Sequence, residues 1–222
     1  IEPALGEIAQ MPHLVEEDLF RAVAGDAQHV QVRVAGTLRC ERGDVVALRG
    51  PSRRACSVLL RDVAASDQLD GVKVAWDSDH HVERALGPGL MLYLARPAVL
   101  RMTLAENLSL LSDSATMTEA RTSVLDVPLI TPEEKASADQ LLDDAAMSIS
   151  DRARYAAARV FMSNRPVVLV DMFFNLMELD DQVEFVSEFK KRFPDRILIL
   201  NAFEGVIDPL LTKIVKVREV SP

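Results

Sequence analysis

The sequence predicts an α/β fold: a mostly parallel sheet flanked by helices, with a small antiparallel β part near the start and a helical subdomain inserted in the middle. Three observations carry this. Short, wholly apolar runs recur at Val45–Leu48, Val167–Val170 and Ile197–Leu200. Such runs fit strands buried on both faces, the condition of a parallel sheet. Helical patterns separate these runs in the C-terminal half, as right-handed crossovers require. A strand, a glycine turn and a helix also follow one another between Val45 and Val63.

Taken in order, residues 1–13 hold Pro3, Gly6 and Pro12 without a hydrophobic period and read as a linker. Leu14–Val23 and Val30–Leu38 read as strands. The second puts Val30, Val32 and Val34 on one face and Gln31, Arg33 and Ala35 on the other. Glu41-Arg42-Gly43-Asp44 is turn chemistry ahead of the buried strand Val45–Leu48. Gly50-Pro51-Ser52 then leads into Ser57–Val63, which has helical spacing. Gly71–Trp76 reads as a strand after the Asp70-Gly71 turn, and Gly87-Pro88-Gly89 breaks the chain before Leu90–Leu94.

Thr103–Met162 reads as mostly helical, divided by Pro128 and Pro132. Thr131-Pro132-Glu133-Glu134 is a helix start, with Thr as N-cap and Pro in the first position. Ser150–Ser163 reads as an alanine-rich helix that carries Arg152, Arg154 and Arg159 and ends before Pro166. Asp180–Phe193 is amphipathic, with Val183, Phe185, Val186 and Phe189 opposite Glu184, Glu188, Lys190 and Lys191. Ile214–Val220 closes the chain as an alternating edge strand. The expected organisation is one domain over residues 1–222: the linker 1–13, a β-rich core from 14–102 and 155–222, and a helical subdomain over 103–154.

The composition bounds the function. The 222 residues are 49% apolar and 27% charged, enough apolar surface to offset chain entropy. Disordered, collagen-like and mucin-like classes are excluded. The 25 basic against 34 acidic residues give a net charge of −9, which argues against a nucleic-acid partner. Two cysteines, Cys40 and Cys56, do not make a disulfide framework, and a reducing compartment is expected. No run reaches the roughly 18–20 apolar residues of a membrane helix. Ile1–Gln10 carries Glu2 and Glu7 and lacks the basic start of a signal peptide. The chain begins without Met and is read as a piece of a longer protein; a soluble piece of a membrane protein fits.

Gly50-Pro51-Ser52-Arg53-Arg54-Ala55-Cys56-Ser57 occupies the frame of a phosphate loop, G-x-x-x-x-G-K-[ST]. That chemistry needs a second glycine so the backbone can wrap the phosphates, a lysine to neutralise them and a hydroxyl for Mg²⁺. Gly50 and Ser57 remain; Ala55 replaces the second glycine and Cys56 the lysine.

The order of the other segments resembles the nucleotide-binding domain of ATP-binding cassette (ABC) transporters over nearly the whole chain, a phosphate-loop NTPase-like core. Asp44–Ser52 looks like the strand leading into that family's phosphate loop, and Ser57–Arg61 like the helix after it. Tyr93–Pro97 with Leu100 and Thr103–Leu108 resembles the glutamine-loop region, and its Glu106-Asn107 pair is typical of exporter-type cassettes. Met147–Asp151 sits where the L-S-G-G-Q signature belongs, and Arg154, Ala157, Ala158 and Arg159 echo the helix after it. Val167–Asp171 looks like the Walker B strand, and Asn201-Ala202 falls where the switch histidine ends its strand.

The departures carry as much information. Where the family has its general-base glutamate this chain has Met172; the switch histidine is Ala202; the glutamine is Arg96 or Ala95. The signature glycines are Ile149 and Ser150, and the signature glutamine is Asp151. The ring that stacks on adenine belongs near Ala22, where no aromatic residue stands; Phe20 is out of register. Without a carboxylate at Met172 nothing nearby takes a proton from water. Without a histidine at 202 the γ-phosphate loses a stabilising contact. No catalytic residue is therefore assigned.

The resemblance implies nucleotide contacts at Gly50, Ser52, Arg54, Cys56, Ser57, Val58 and Ser148, and Mg²⁺ held by Ser57 and Asp171, with ATP and Mg²⁺ weakened or lost. Ser57 and Asp171 have an alternative reading as a helix cap and a strand end. Arg53 and Arg54 either compensate for the missing lysine or form a solvated turn. Cys56 stands at a helix N-terminus, where a thiol pKa tends to fall. Phe173 and Phe174 belong to the core or to a dimer face. His80-His81 reads as a solvated loop, as do Asp79, Glu83, Asp143 and Asp144.

The expected function is a degenerate, non-hydrolysing cassette of an exporter-type transporter, on the cytoplasmic face of a membrane. It pairs with a second cassette and a transmembrane domain. The alternatives are a competent ATPase within a heterodimer and a scaffold that no longer binds nucleotide.

Overall fold

The computed structural model describes residues 13–14, 29–33, 37–40, 43–50, 53–64, 73–77, 91–110, 122–143 and 146–218. Nine strands are named among them: β1 (His13–Leu14), β2 (His29–Arg33), β3 (Thr37–Arg39), β4 (Val45–Arg49), β5 (Lys73–Asp77), β6 (Met91–Leu94), β7 (Val167–Val170), β8 (Ile197–Asn201) and β9 (Lys213–Arg218). The named helices are α1 (Arg53–Ala64), α2 (Leu104–Ser109), α3 (Pro132–Ala136), α4 (Ile149–Ala158) and α5 (Leu179–Arg192), and residues 122–124 are helical as well. Tight 3₁₀ turns occupy Arg159–Met162, Met172–Leu176 and Asp208–Leu210.

The main sheet has the order β1-β9-β4-β8-β7-β6, and its five strands from β9 to β6 run parallel. The apolar runs explain this placement: every residue of β7 and β8 is buried, as is β4 up to Leu48. Side chains alternate between the faces of a strand. Val45, Ala47, Val168, Val170, Leu198 and Leu200 join one core cluster with α4 and α5. Their neighbours Val46, Leu48, Leu169 and Ile199 are buried as well, and α1 packs across the same sheet. Phe185, on α5, touches both Phe161 and Phe174 ring to ring, at 5.7 and 5.9 Å between centroids. A second, antiparallel sheet has the order β3-β2-β5, the small antiparallel part expected.

Several local expectations are revised. Val30–Leu38 is a hairpin, not one strand: Val32 pairs with Leu38 and Arg33 with Thr37. The last strand is not at the edge, because β1 pairs beside it through Leu14↔Val217. Helix α1 starts at Arg53 rather than Ser57. Thr103–Met162 is less helical than its pattern suggests, with turns over residues 125–130 and 137–140. The stretch Ser150–Ser163 tightens into a 3₁₀ turn at Arg159. The expected linker up to Pro12, most of Leu14–Val23, Phe20, Ala22, His80 and His81 lie outside the described residues. So do Asp79, Glu83 and Asp144.

Local chemistry accounts for what holds. Gly43 has φ +77°, and a Cβ there would meet the Pro194 carbonyl oxygen at 2.5 Å, so this turn requires glycine. Thr103 and Thr131 cap α2 and α3 in reciprocal boxes with Glu106 and Glu134. Glu134 also receives Arg154 Nη2 at 2.6 Å and the Tyr155 hydroxyl at 2.5 Å. Burial pushes its carboxyl up, but these bonds and the Thr131 N–H outweigh that and hold it at about 2. Arg154 thereby ties α4 to α3. The fully buried Asn107 fixes the segment after β6, donating to Leu100 O at 2.9 Å and accepting from Leu100 N at 2.9 Å. Arg159 donates to its carbonyl at 2.9 Å.

Candidate functional site

Parallel strands end together, and their carboxyl ends are where an open α/β sheet presents a crevice. Here Leu94 pairs with Val170, and Val170 with Leu200. Asp171 and Asn201, which come next on their strands, therefore lie at the same edge, beside Tyr93 near the end of β6. Helix α1 brings Ser57 to them.

The result is one closed cluster. Ser57 Oγ donates to Asp171 Oδ1 at 2.6 Å. Asn201 Nδ2 donates to Asp171 Oδ1 at 2.9 Å and to Ser57 Oγ at 3.1 Å. The Met172 backbone N–H donates to Asp171 Oδ1 at 2.7 Å. The Tyr93 hydroxyl takes the other oxygen, Oδ2, at 3.1 Å. Asp171 is 6% exposed and Asn201 3% exposed. An ionised carboxylate has about four lone-pair sites, and four protein donors converge on this one. The helix-cap reading of Ser57 is overturned, since Ser57 lies inside α1 with its hydroxyl on Asp171. Asp171 does end β7, and it also caps the turn Met172–Leu176.

The phosphate-loop frame is altered in shape as well as in sequence. Its residues Arg53, Arg54, Ala55 and Cys56 are wound into the first turn of α1. Ser52 lies outside the described residues. Gly50 is exposed, and a Cβ there would come within 3.2 Å of Cys56 Sγ. Cys56 is 1% exposed. Burial, and next the Asp171 carboxylate, push its thiol up to about 11. The fall expected from the helix N-terminus is thus reversed, and the thiol is neutral at pH 7. Arg54 is exposed and Val58 half-buried.

Ser148 is not joined to this cluster. It caps α4, accepting from Asp151 N at 3.0 Å and donating to Asp151 Oδ2 at 2.7 Å. That bond is the largest influence on the Asp151 carboxyl and lowers it. Ile149 beside it is 61% exposed. Phe173 and Phe174 are both core residues. Arg96 and Ala95 are exposed after β6.

Around the cluster the loops are tied down. Asn175 donates to Asn201 O at 2.7 Å and accepts from Phe203 N at 2.9 Å. Arg49 is ion-paired to Asp208 and donates to Phe203 O. Ala202 is buried between these ties, while Met172 is exposed and offers only a thioether. Tyr93 and Asn201 are members that the sequence did not reveal as partners of Asp171. Their only signal was a polar residue at the end of an apolar strand.

The fold is that of an ABC cassette. The chain matches the structure of a bacterial Atm1-family ABC exporter with ATP bound, with a TM-score of 0.65, 15% identity and 92% of this chain covered. It spans 41% of that exporter chain. It also matches CbiO1 from Clostridium perfringens, part of the ABC transporter complex cbiONQ, with a TM-score of 0.62 and 14% identity, over 92% of this chain and 88% of that one. No protein-family model and no curated protein matches the sequence. At these identities the likeness establishes the cassette fold. No described helix is long and apolar enough to cross a membrane.

Ser57 and Asp171 are the pair expected to hold Mg²⁺, and their donor chemistry bears on that expectation. Mg²⁺ takes oxygen ligands at about 2.0–2.1 Å in an octahedron, which sets adjacent oxygens about 3 Å apart. Ser57 Oγ and Asp171 Oδ1 lie 2.6 Å apart with a proton between them. The Asn201 amide nitrogen lies within donor distance of both oxygens. The set as arranged does not fit the cation. Among the described residues no group of three or more His, Cys, Asp or Glu side chains could hold a metal.

Proposed function

We propose that the chain is a degenerate nucleotide-binding domain of an exporter-type ABC transporter that does not hydrolyse ATP. It acts by pairing with a second cassette and with a transmembrane domain, at the cytoplasmic face of a membrane. The observation that carries the reading is the Asp171 carboxylate, whose oxygens are taken by Ser57, Asn201, Met172 N–H and Tyr93. Hydrolysis needs a group to accept the water's proton and positive charge around the phosphoryl group. Met172 cannot accept that proton, Cys56 is neutral, and Ala202 has no side-chain donor to offer.

What remains for ATP is weak: the first turn of α1, which carries no acidic residue, and Arg54. A helix N-terminus favours phosphate, but the fixed ammonium is gone. The segment after β6 keeps a transporter-like surface, with Leu100 exposed at 47% on the loop that Asn107 fastens. In this reading it receives the transmembrane partner. Met147–Asp151 would face the second cassette. Ser148 is already committed to Asp151, which speaks against a composite site working through this signature.

Phosphate release by the purified protein, with Mg²⁺ and millimolar ATP, tests the reading. It should equal the buffer blank in wild type and in Asp171→Ala. Mg²⁺-dependent release that the substitution abolishes would refute it.

A further inference from the structure

Three atoms at the strand ends form a triangle: Ser57 Oγ, Asp171 Oδ1 and Asn201 Nδ2, with edges of 2.6, 2.9 and 3.1 Å. Two corners are the oxygens that would hold a cation in this fold. The third is a nitrogen that donates to both. Both oxygens lie on the same side of the amide nitrogen, so one N–H is shared between them. The positive end of that N–H dipole thus stands where the charge of a divalent ion would otherwise be needed.

We propose that the Asn201 side chain is a built-in replacement for the divalent cation, making this site metal-independent. The inference rests on the cassette reading above and deepens it by assigning the loss of metal to one residue. Asn201 is 3% exposed, and Asn175 holds its carbonyl at 2.7 Å, so its backbone is anchored where the amide meets the oxygens. The Asp171 oxygen that faces Ser57 already accepts three protons. That exceeds its two lone pairs, so a cation, or a water carrying one, reaches this oxygen only once the amide is gone and Ser57 has turned its hydroxyl proton away.

Substitution at 201 should reverse the effect. Asn201→Asp replaces the donor with a second carboxylate beside Asp171 and Ser57. That gives an all-oxygen set whose like charges a cation relieves. Asn201→Ala removes the donor without adding charge.

Mn²⁺ alone, without nucleotide, is titrated into the whole chain and the free ion followed by electron paramagnetic resonance. Wild type should show no Asp171-dependent binding up to millimolar Mn²⁺. Asn201→Asp should tighten binding by about tenfold or more, with Asn201→Ala between the two. Adding Asp171→Asn should remove the gain. Sub-millimolar Mn²⁺ binding by wild type that Asp171→Asn abolishes would overturn the proposal. So would Asn201→Ala, folded by circular dichroism, binding no better than wild type; this decides the matter if the aspartate variant does not fold. Hydrolysis is not read in this titration, so failure of the non-hydrolysing reading shows separately, as phosphate release.

Discussion

Replacing Asp171 with Ala should destabilise the unliganded protein, because the carboxylate is a structural acceptor. Four donors depend on it: Ser57 Oγ, Asn201 Nδ2, Met172 N–H and the Tyr93 hydroxyl. A hydrogen bond to a charged group contributes about 1.5–3 kcal/mol, and bonds to one acceptor are not additive. Ser57 and Tyr93 are half-buried and can recover water in part. Asn201, at 3% exposed, cannot, and an orphaned buried donor costs about 1–3 kcal/mol. The expected loss is about 3–5 kcal/mol, and for a domain of this size roughly 8–15 °C in Tm. Urea unfolding of wild type and variant, without nucleotide or metal, measures it. A carboxylate kept for metal chemistry is ordinarily under strain when empty, and its removal leaves stability unchanged or raised. A loss below about 1 kcal/mol would therefore refute the structural role.

Three further outcomes follow from the same geometry. Glu134, held at about 2 against an ordinary value of 4.5, contributes stability that is complete above pH 4.5 and is lost as pH falls toward 2. Allowing for its partial exposure, the drop is about 1–2 kcal/mol, and Glu134→Gln should flatten that limb of a pH–stability curve. Gly43→Ala places a methyl group against Pro194 O at positive φ and should cost about 2 kcal/mol or more in a chemical denaturation series. Cys40 and Cys56 are both buried and neither is in a disulfide, and burial pushes the Cys56 thiol up to about 11. A disulfide reagent at pH 8 should label neither within minutes in the native state and both in denaturant; fast native labelling of Cys56 would contradict its burial.

Much of the fold was legible because its strongest signal is local. The runs Val45–Leu48, Val167–Val170 and Ile197–Leu200 can be buried only as inner strands, and they are the centre of the sheet. The hairpin within Val30–Leu38 was not legible, because period-two alternation looks the same in one strand or two. The start of α1 was misplaced because a phosphate-loop frame implies an open loop before Ser57, whereas Arg53, Arg54, Ala55 and Cys56 all tolerate helix.

The site was half legible. Ser57 and Asp171 stood out by their place in known motifs, and the structure joins them. Asn201 and Tyr93 became partners only through sheet order, which sets β8 and β6 on either side of β7. No spacing along the chain encodes that. Burial decided the Cys56 thiol in the same way: the helix terminus is visible in sequence, but the walls around it are not.

The central claim is that this cassette keeps its Ser57–Asp171 pair for structure and not for metal-assisted chemistry. Thermal melting with millimolar ATP, in Mg²⁺ and again in excess chelator, tests it most directly. A ligand at 100 times its Kd adds about 2.7 kcal/mol, which is roughly 5–10 °C here. The account predicts the same melting temperature in Mg²⁺ and in chelator, whether or not ATP shifts it. A rise that needs Mg²⁺ and disappears in Asp171→Asn would contradict it.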